Sequence, residues 1–254
     1  MSSSIADIRQ QFTRLRLPTA AAELDGVLSE EKRAVSLAWL SRLLTREIDR
    51  RQETAISMRM KLAGFPETAT LEGFDWNFNK DIDEEKIRRL ADLDFVKSKR
   101  IVLFLGKPGT GKSHLAVALG SRAVAAGHRV YWTSVKRLSA KIQLAKQRNN
   151  LDALYKRILG CHLWILDDWG VVSMSRDVAE EVFELFDRRK YGSAMILTSN
   201  RDVSEWGEVF PDPVLASAAI DRVFDRAEIV LFRGESYRLK GRITQREIDP
   251  AKKE

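Results

Sequence analysis

Gly106-Lys107-Pro108-Gly109-Thr110-Gly111-Lys112-Ser113 follows directly on the apolar run Ile101 to Leu105 and leads directly into the helical spacing of Leu115, Ala118 and Leu119. Glycines at these positions let backbone N–H groups turn inward, and the start of the following helix adds the positive end of its dipole. The pattern is that of a phosphate-cradling loop, and its strand-before, helix-after context is the one such a loop requires. Lys112 is expected to reach the β/γ-phosphates of ATP and the Ser113 hydroxyl to ligate Mg²⁺, with Lys107, Pro108, Thr110 and the neighbouring His114 completing the nucleotide-contacting run.

Working outward, Leu163-Trp164-Ile165-Leu166 ends in Asp167-Asp168, two acids at the C-terminal edge of a strand. In an open parallel sheet that edge is where ligands sit. This is a Walker B pattern, in which Asp167 is expected to serve the Mg²⁺ and Asp168 to polarise the attacking water. The next apolar run, Met195 to Thr198, ends in Ser199-Asn200-Arg201, so Asn200 is a candidate to hydrogen-bond that water or the γ-phosphate. Arg222, on the expected helix with Leu215, Ala218, Ala219 and Val223, reads either as a surface arginine or as a guanidinium serving a neighbouring subunit's γ-phosphate.

The runs Ile101 to Leu105, Arg129 to Thr133, Leu163 to Leu166, Met195 to Thr198 and Glu228 to Phe232 alternate with helical patterns beginning near Lys112, Val135, Asp177 and Val214. Such alternation predicts an α/β fold with a parallel five-stranded sheet flanked by helices. Ahead of it, Ile5, Ile8, Phe12 and Leu15 define a helix before Pro18, and Leu24, Val27 and Leu28 a second. Leu37, Leu40, Leu43, Leu44 and Ile48 begin a third that runs through Ile56 and stops before Gly64 and Pro66. Residues 1–65 therefore read as a small helical domain and 66–254 as the ATPase domain.

The chain has 254 residues with 44% hydrophobic side chains, enough for one full α/β core and a small extra domain. A net charge of +7 favours a polyanionic partner such as nucleic acid. One cysteine and three histidines provide neither an internal disulfide nor a Cys/His metal cluster. Met1 to Arg9 is polar, and no stretch approaches the ~20 apolar residues of a membrane span. The expectation is a cytoplasmic protein with no membrane association.

Asp167-Asp168-Trp169-Gly170, Thr198-Ser199-Asn200, Ser204-Glu205-Trp206-Gly207, Asp212-Pro213 and Gly234-Glu235-Ser236-Tyr237-Arg238 together resemble the IstB-like helper ATPases of insertion sequences, in the DnaC/DnaA-like branch of AAA+ proteins. Leu15 to Ala21 and Thr70 to Trp76 look like the same family. The resemblance implies a P-loop AAA+ fold and a homo-oligomer assembled on DNA with ATP, which helps a partner transposase act at its target. It also implies that Arg222 acts as an arginine finger across subunits and that residues 134–161 form a helical insert. The sequence departs from the wider pattern in having Asp168 where many AAA+ proteins carry glutamate. With about 22 residues after the last expected strand, a full C-terminal helical lid is not expected, and Arg238 is left between a lid-arginine role and a solvent or DNA contact.

Within residues 135–148, Leu138, Ile142 and Ala145 share a helical face while Lys136, Arg137, Lys141, Lys146 and Arg148 supply cations, and no acid is present. A solvated helix usually mixes both signs, so this stretch is expected to track DNA phosphates without sequence preference. A loader for a replicative helicase and a DNA-binding module with purely structural ATP stay open as alternatives. A small-molecule kinase is disfavoured, because adjacent acids followed by an asparagine on the next strand suit water as the acceptor.

Overall fold

A computed structural model describes residues 4–30, 36–189 and 192–240. The chain divides into two compact units, Met1–Met58 and Arg59–Glu254. The division falls within the helix Ala38–Ala63, a little ahead of residue 65, where the sequence reading placed the boundary.

The first unit holds α1 (Ile5–Arg14), α2 (Pro18–Glu30) and most of α3 (Ala38–Ala63). Ser4 caps α1 by accepting from the Asp7 N–H, while the Asp7 carboxylate accepts from the Ser4 N–H, so two otherwise orphaned donors are satisfied. Ile8, Leu15, Leu24, Leu44 and Ile48 form its buried cluster. Gln11 Nε2 donates to Thr45 Oγ1 at 2.9 Å, and Arg9 pairs with Asp25.

In the second unit, α4 (Glu84–Leu90) and α5 (Asp94–Lys97) precede β1 (Ile101–Gly106), α6 (Lys112–Ala125) and β2 (Val130–Ser134). Then come α7 (Val135–Gln147), α8 (Leu151–Leu159), β3 (Leu163–Trp169), α9 (Arg176–Arg189), β4 (Ala194–Ser199), α10 (Pro213–Phe224) and β5 (Ala227–Phe232). The five strands pair in the order β2-β3-β4-β1-β5, all parallel. Leu105 stands opposite both Ser199 and Leu231, and Ser134 stands opposite Asp167, so the C-terminal ends of the strands form one edge. The five residues Ile101–Leu105 are all buried, as expected of a parallel strand covered on both faces. Helices α7 and α8 occupy the expected insert between β2 and β3. No helix among the described residues is long and apolar enough to cross a membrane. Residues 241–254, on which the absent-lid expectation largely rests, lie outside the described residues.

The strand expected to stop at Leu166 continues through both acids to Trp169, with a register shift against β4 between Leu166 and Trp169. Trp169 anchors that extension: its ring lies 5.5 Å from Phe186, 5.8 Å from Trp206 and 5.7 Å from Phe210. Trp206 sits on a short 3₁₀ segment, Val203–Val209, is wholly buried, and donates Nε1–H to Ser199 Oγ at 3.2 Å. The Ser-Glu-Trp-Gly motif thus ties the β4 end to the β3 end. Trp206→Ala is expected to lower unfolding free energy by about 3–5 kcal/mol, as for a large buried side chain. Val214→Ala, at a 78% exposed position, should change it by less than about 0.5 kcal/mol. Urea unfolding of the two variants checks the contrast, and a loss below about 1 kcal/mol at Trp206 would remove its anchoring role.

Candidate functional site

The loop 106–111 wraps the C-terminal end of β1 and the first turn of α6. Gly111 is the N-cap of α6 with φ +101°, a region open to glycine, and the Phe74 ring lies where a Cβ would stand. Gly109, φ +78°, is closed over in the same way by the Ser236 side chain. Thr110 Oγ1 donates to the Lys107 carbonyl at 2.8 Å, bracing the turn. Lys112 Nζ donates to the carbonyls of Gly106 at 2.7 Å and Lys107 at 2.6 Å. Burial pushes this ammonium down to about 8, against the opposing attraction of Asp167 and Asp168.

The two acids of β3 have opposite surroundings. Asp167 is buried, and its Oδ1 accepts from Ser113 Oγ at 2.8 Å and from Thr198 Oγ1. Asp168 is exposed, has φ +60°, and its backbone N–H donates to Thr198 Oγ1 at 3.1 Å. The left-handed conformation together with the strand's register shift turns one carboxylate inward and leaves the next at the pocket wall. Asn200 Nδ2 lies 3.5 Å from Asp168 Oδ1. Partial burial and the neighbouring Asp167 charge raise the Asp168 pKa, with Arg238 and Lys112 pulling the other way.

The loop from Pro108 through Ser113, Asp168 and Asn200 line a pocket of about 340 Å³ with Phe74, Phe78, Tyr237 and Arg238. His114 also lines it, its Nε2 3.1 Å from the Thr70 carbonyl and its ring 5.5 Å from Phe74. The pocket is closed by two segments far apart in sequence. The Asn79 side chain bonds both the N–H and the carbonyl of Glu235, at 3.1 and 3.0 Å. Lys240 Nζ lies 2.7 Å from Asp75 Oδ2, Tyr237 stacks edge-on to Phe78, and the Tyr237 N–H donates to the Gly109 carbonyl at 2.9 Å. Asn79, the aromatic walls and the acid-bonding role of Thr198 are missing from the sequence-derived site; Thr198 lies in the quoted Thr198-Ser199-Asn200 motif, Phe74 and Tyr237 in those at 70–76 and 234–238, and Phe78 and Asn79 in none. Arg238 is at the pocket wall, close enough to influence Lys112 and Asp168.

Ser113 and Asp167 fit a Mg²⁺ site: a hydroxyl and one carboxylate at hydrogen-bonding distance suit an ion that keeps waters and takes phosphate oxygens. Among the described residues no cluster of three or more His, Cys, Asp or Glu offers an all-protein metal cage.

Other candidates lie apart from this pocket. Arg222 Nε is 2.8 Å from Asp187 Oδ1, and its Nη1 is 3.2 Å from Asp221. Of the five α7 cations, Lys146 alone meets an acid among the described residues. Lys146 Nζ is 2.9 Å from Glu181, an acid of α9 that raises its pKa, and Lys141 Nζ donates to Tyr131 Oη at 2.8 Å. Arg137 lies over the Trp132 ring. Lys136 and Arg148 are exposed and have no ion pair among the described residues.

The chain is 38% identical over 231 residues to the insertion sequence IS21 ATP-binding protein of Pseudomonas aeruginosa, covering 90% of this chain and 87% of that one. It is 34% identical over 243 residues to the insertion sequence IS5376 ATP-binding protein of Geobacillus stearothermophilus, covering 94% and 96%. Among solved structures it is similar to AMPPCP-bound DnaA from Aquifex aeolicus, with TM-score 0.57, 19% identity and coverage of 74% of this chain and 60% of that one. It is also similar to the DnaC helicase loader, with TM-score 0.52, 19% identity and coverage of 69% and 99%. At such identities the structural likeness is one of fold, the P-loop AAA+ fold. The description IstB-like ATP binding protein matches residues 10–245, a span that takes in both compact units and the phosphate loop, and the chain therefore belongs to the IstB-like ATP binding protein family.

Proposed function

We propose that the protein hydrolyses ATP with Mg²⁺, assembles as a homo-oligomer on DNA in the ATP-bound state, and helps a partner transposase at its target. The observation that carries the reading is the division of labour between Asp167, bonded to Ser113 and Thr198, and Asp168, exposed at the pocket and paired with Asn200. Ser113 and Asp167 would hold Mg²⁺, which supplies charge neutralisation on the phosphate oxygens. Lys112 contributes a fixed ammonium toward the β/γ-phosphates. Asp168 accepts a proton from the attacking water, and its raised pKa makes that carboxylate a better base. Asn200 orients the same water. Insertion-sequence relatives support the transposition part, and Lys136 and Arg148 on α7 are candidate phosphate contacts.

Negative-stain microscopy with DNA tests the assembly: ordered assemblies are expected with ATP and not with ADP; assemblies with both would overturn the switch, and none with either would overturn assembly itself. Asp168→Asn is expected to bind ATP and assemble but to hydrolyse roughly 10²–10⁴-fold more slowly, read in a steady-state ATPase assay. Wild-type turnover would exclude Asp168 as the base.

ATP affinity should fall as pH rises through about 8, because the Lys112 ammonium is lost from there upward. Above that point the dissociation constant is expected to climb about tenfold per pH unit. Titration of a fluorescent ATP analogue from pH 6.5 to 9.5 reads it, with Lys112→Ala giving weak, nearly pH-independent binding. A flat wild-type profile would separate Lys112 from nucleotide binding.

Arg222→Ala should retain nucleotide binding and lose most ATPase of the assembled form, since a guanidinium acting across subunits contributes on the order of 10³–10⁵ in such sites. Mixing Arg222→Ala with Asp168→Asn subunits should restore part of the DNA-dependent ATPase, because an Asp168→Asn subunit still binds ATP, assembles, and lends its Arg222 to a neighbour whose own Asp168 is intact. No recovery would sink the trans assignment.

A further inference from the structure

Beside the edge strand β2, Arg59, Arg129, Lys156 and Arg157 surround a cleft of about 310 Å³ with Tyr131 and Leu62 in its wall. None of these four cations has an ion pair among the described residues. By contrast, Arg88, Lys146, Arg176, Arg188 and Arg222 of the same unit each face an acid. The contacts that do fix the cleft's cations leave their charge in place. Arg129 Nε donates to the Gly160 carbonyl at 2.9 Å, and the Arg157 guanidinium lies 5.1 Å from the centroid of the buried Tyr131 ring. That ring is also 5.1 Å from Lys141 Nζ, which joins the cleft to α7. A carbonyl dipole and an aromatic quadrupole orient a cation but do not neutralise it. Clustered like charges destabilise the fold unless an anion supplies the balance.

We infer that this cleft is a phosphate-binding site that takes the DNA backbone, extending the path from the exposed Lys136 and Arg148 of α7 along the β2 edge. The inference rests on the DNA-binding reading above and adds a location to it. Guanidinium groups match phosphate oxygens in paired hydrogen bonds, and an open cleft with Tyr131 and Leu62 suits a sugar between phosphates. No glycine loop or long-helix N-terminus wraps the cleft as a terminal phosphate would need, in contrast to the loop at 106–111.

Lys156 and Arg157 are exposed on α8, so their substitution spares the core. Fluorescence anisotropy of a labelled duplex, with ATP and at several salt concentrations, compares wild type, Lys156→Gln/Arg157→Gln and Lys136→Gln/Arg148→Gln. Thermal unfolding and ATP binding without DNA verify that each variant is folded. The expected result is weaker binding by the α8 double variant on unrelated sequences alike, with the log–log salt slope shallower by about 0.9 for each lost contact. Charge reversal to Lys156→Glu/Arg157→Glu should weaken it further. If wild type and the α7 variant differ while the α8 variants bind with wild-type slope and affinity, the cleft is overturned and the DNA reading stands. If wild type itself binds no DNA, both fall.

Discussion

Successive carboxylates at the end of a buried strand repel one another and each loses hydration, so Asp167 and Asp168 have to be turned into different surroundings. Strand β3 does this with a register shift and one left-handed residue. Asp167 goes inward, where Ser113 in the first turn of α6 and Thr198 near the end of β4 supply hydroxyl donors. Asp168 stays at the pocket with Asn200 near it. The rest of the ATP site is arranged about this split. The extension to Trp169 holds the turn in place, and Trp206 and Phe210 pack on Trp169 from the segment after β4. Tryptophans that look like a family signature in sequence are therefore the mechanical support of a pair of acids.

Strand positions were legible because parallel strands covered on both faces read as uninterrupted apolar runs, and the loop at 106–113 was legible because its glycines and lysine sit within eight consecutive residues. The true end of β3 was not: its apolar run stops at Leu166 while the backbone ladder continues through charged residues held by distant tryptophans. Asn79 and Glu235 meet across 156 positions, so nothing local betrays their pairing. The same holds for charge. Lys146 looks uncompensated within α7 because Glu181, its partner, belongs to α9. Conversely, Arg59, Arg129, Lys156 and Arg157 are scattered in sequence and become a patch only in the fold.

Arg222 illustrates how weak surface pairing permits exchange. Its contacts to Asp187 and Asp221 are made by a partly exposed side chain, and solvent screens pairs of that kind. Releasing the guanidinium to a polyphosphate would therefore meet little resistance. The two acids hold it on α10.

The closure of the pocket by residues 234–240 sets an order of events during synthesis. Strand β1 and the loop after it leave the ribosome well before β5, which pairs with β1 from Ala227 onward, and before Tyr237, which caps Gly109. Contacts of such sequence separation form late, because a long loop must be closed first. A nascent chain thus carries a phosphate loop without its roof until nearly the whole domain has been made. The pocket walls contributed by Tyr237 and Arg238 are among the last to be put in place.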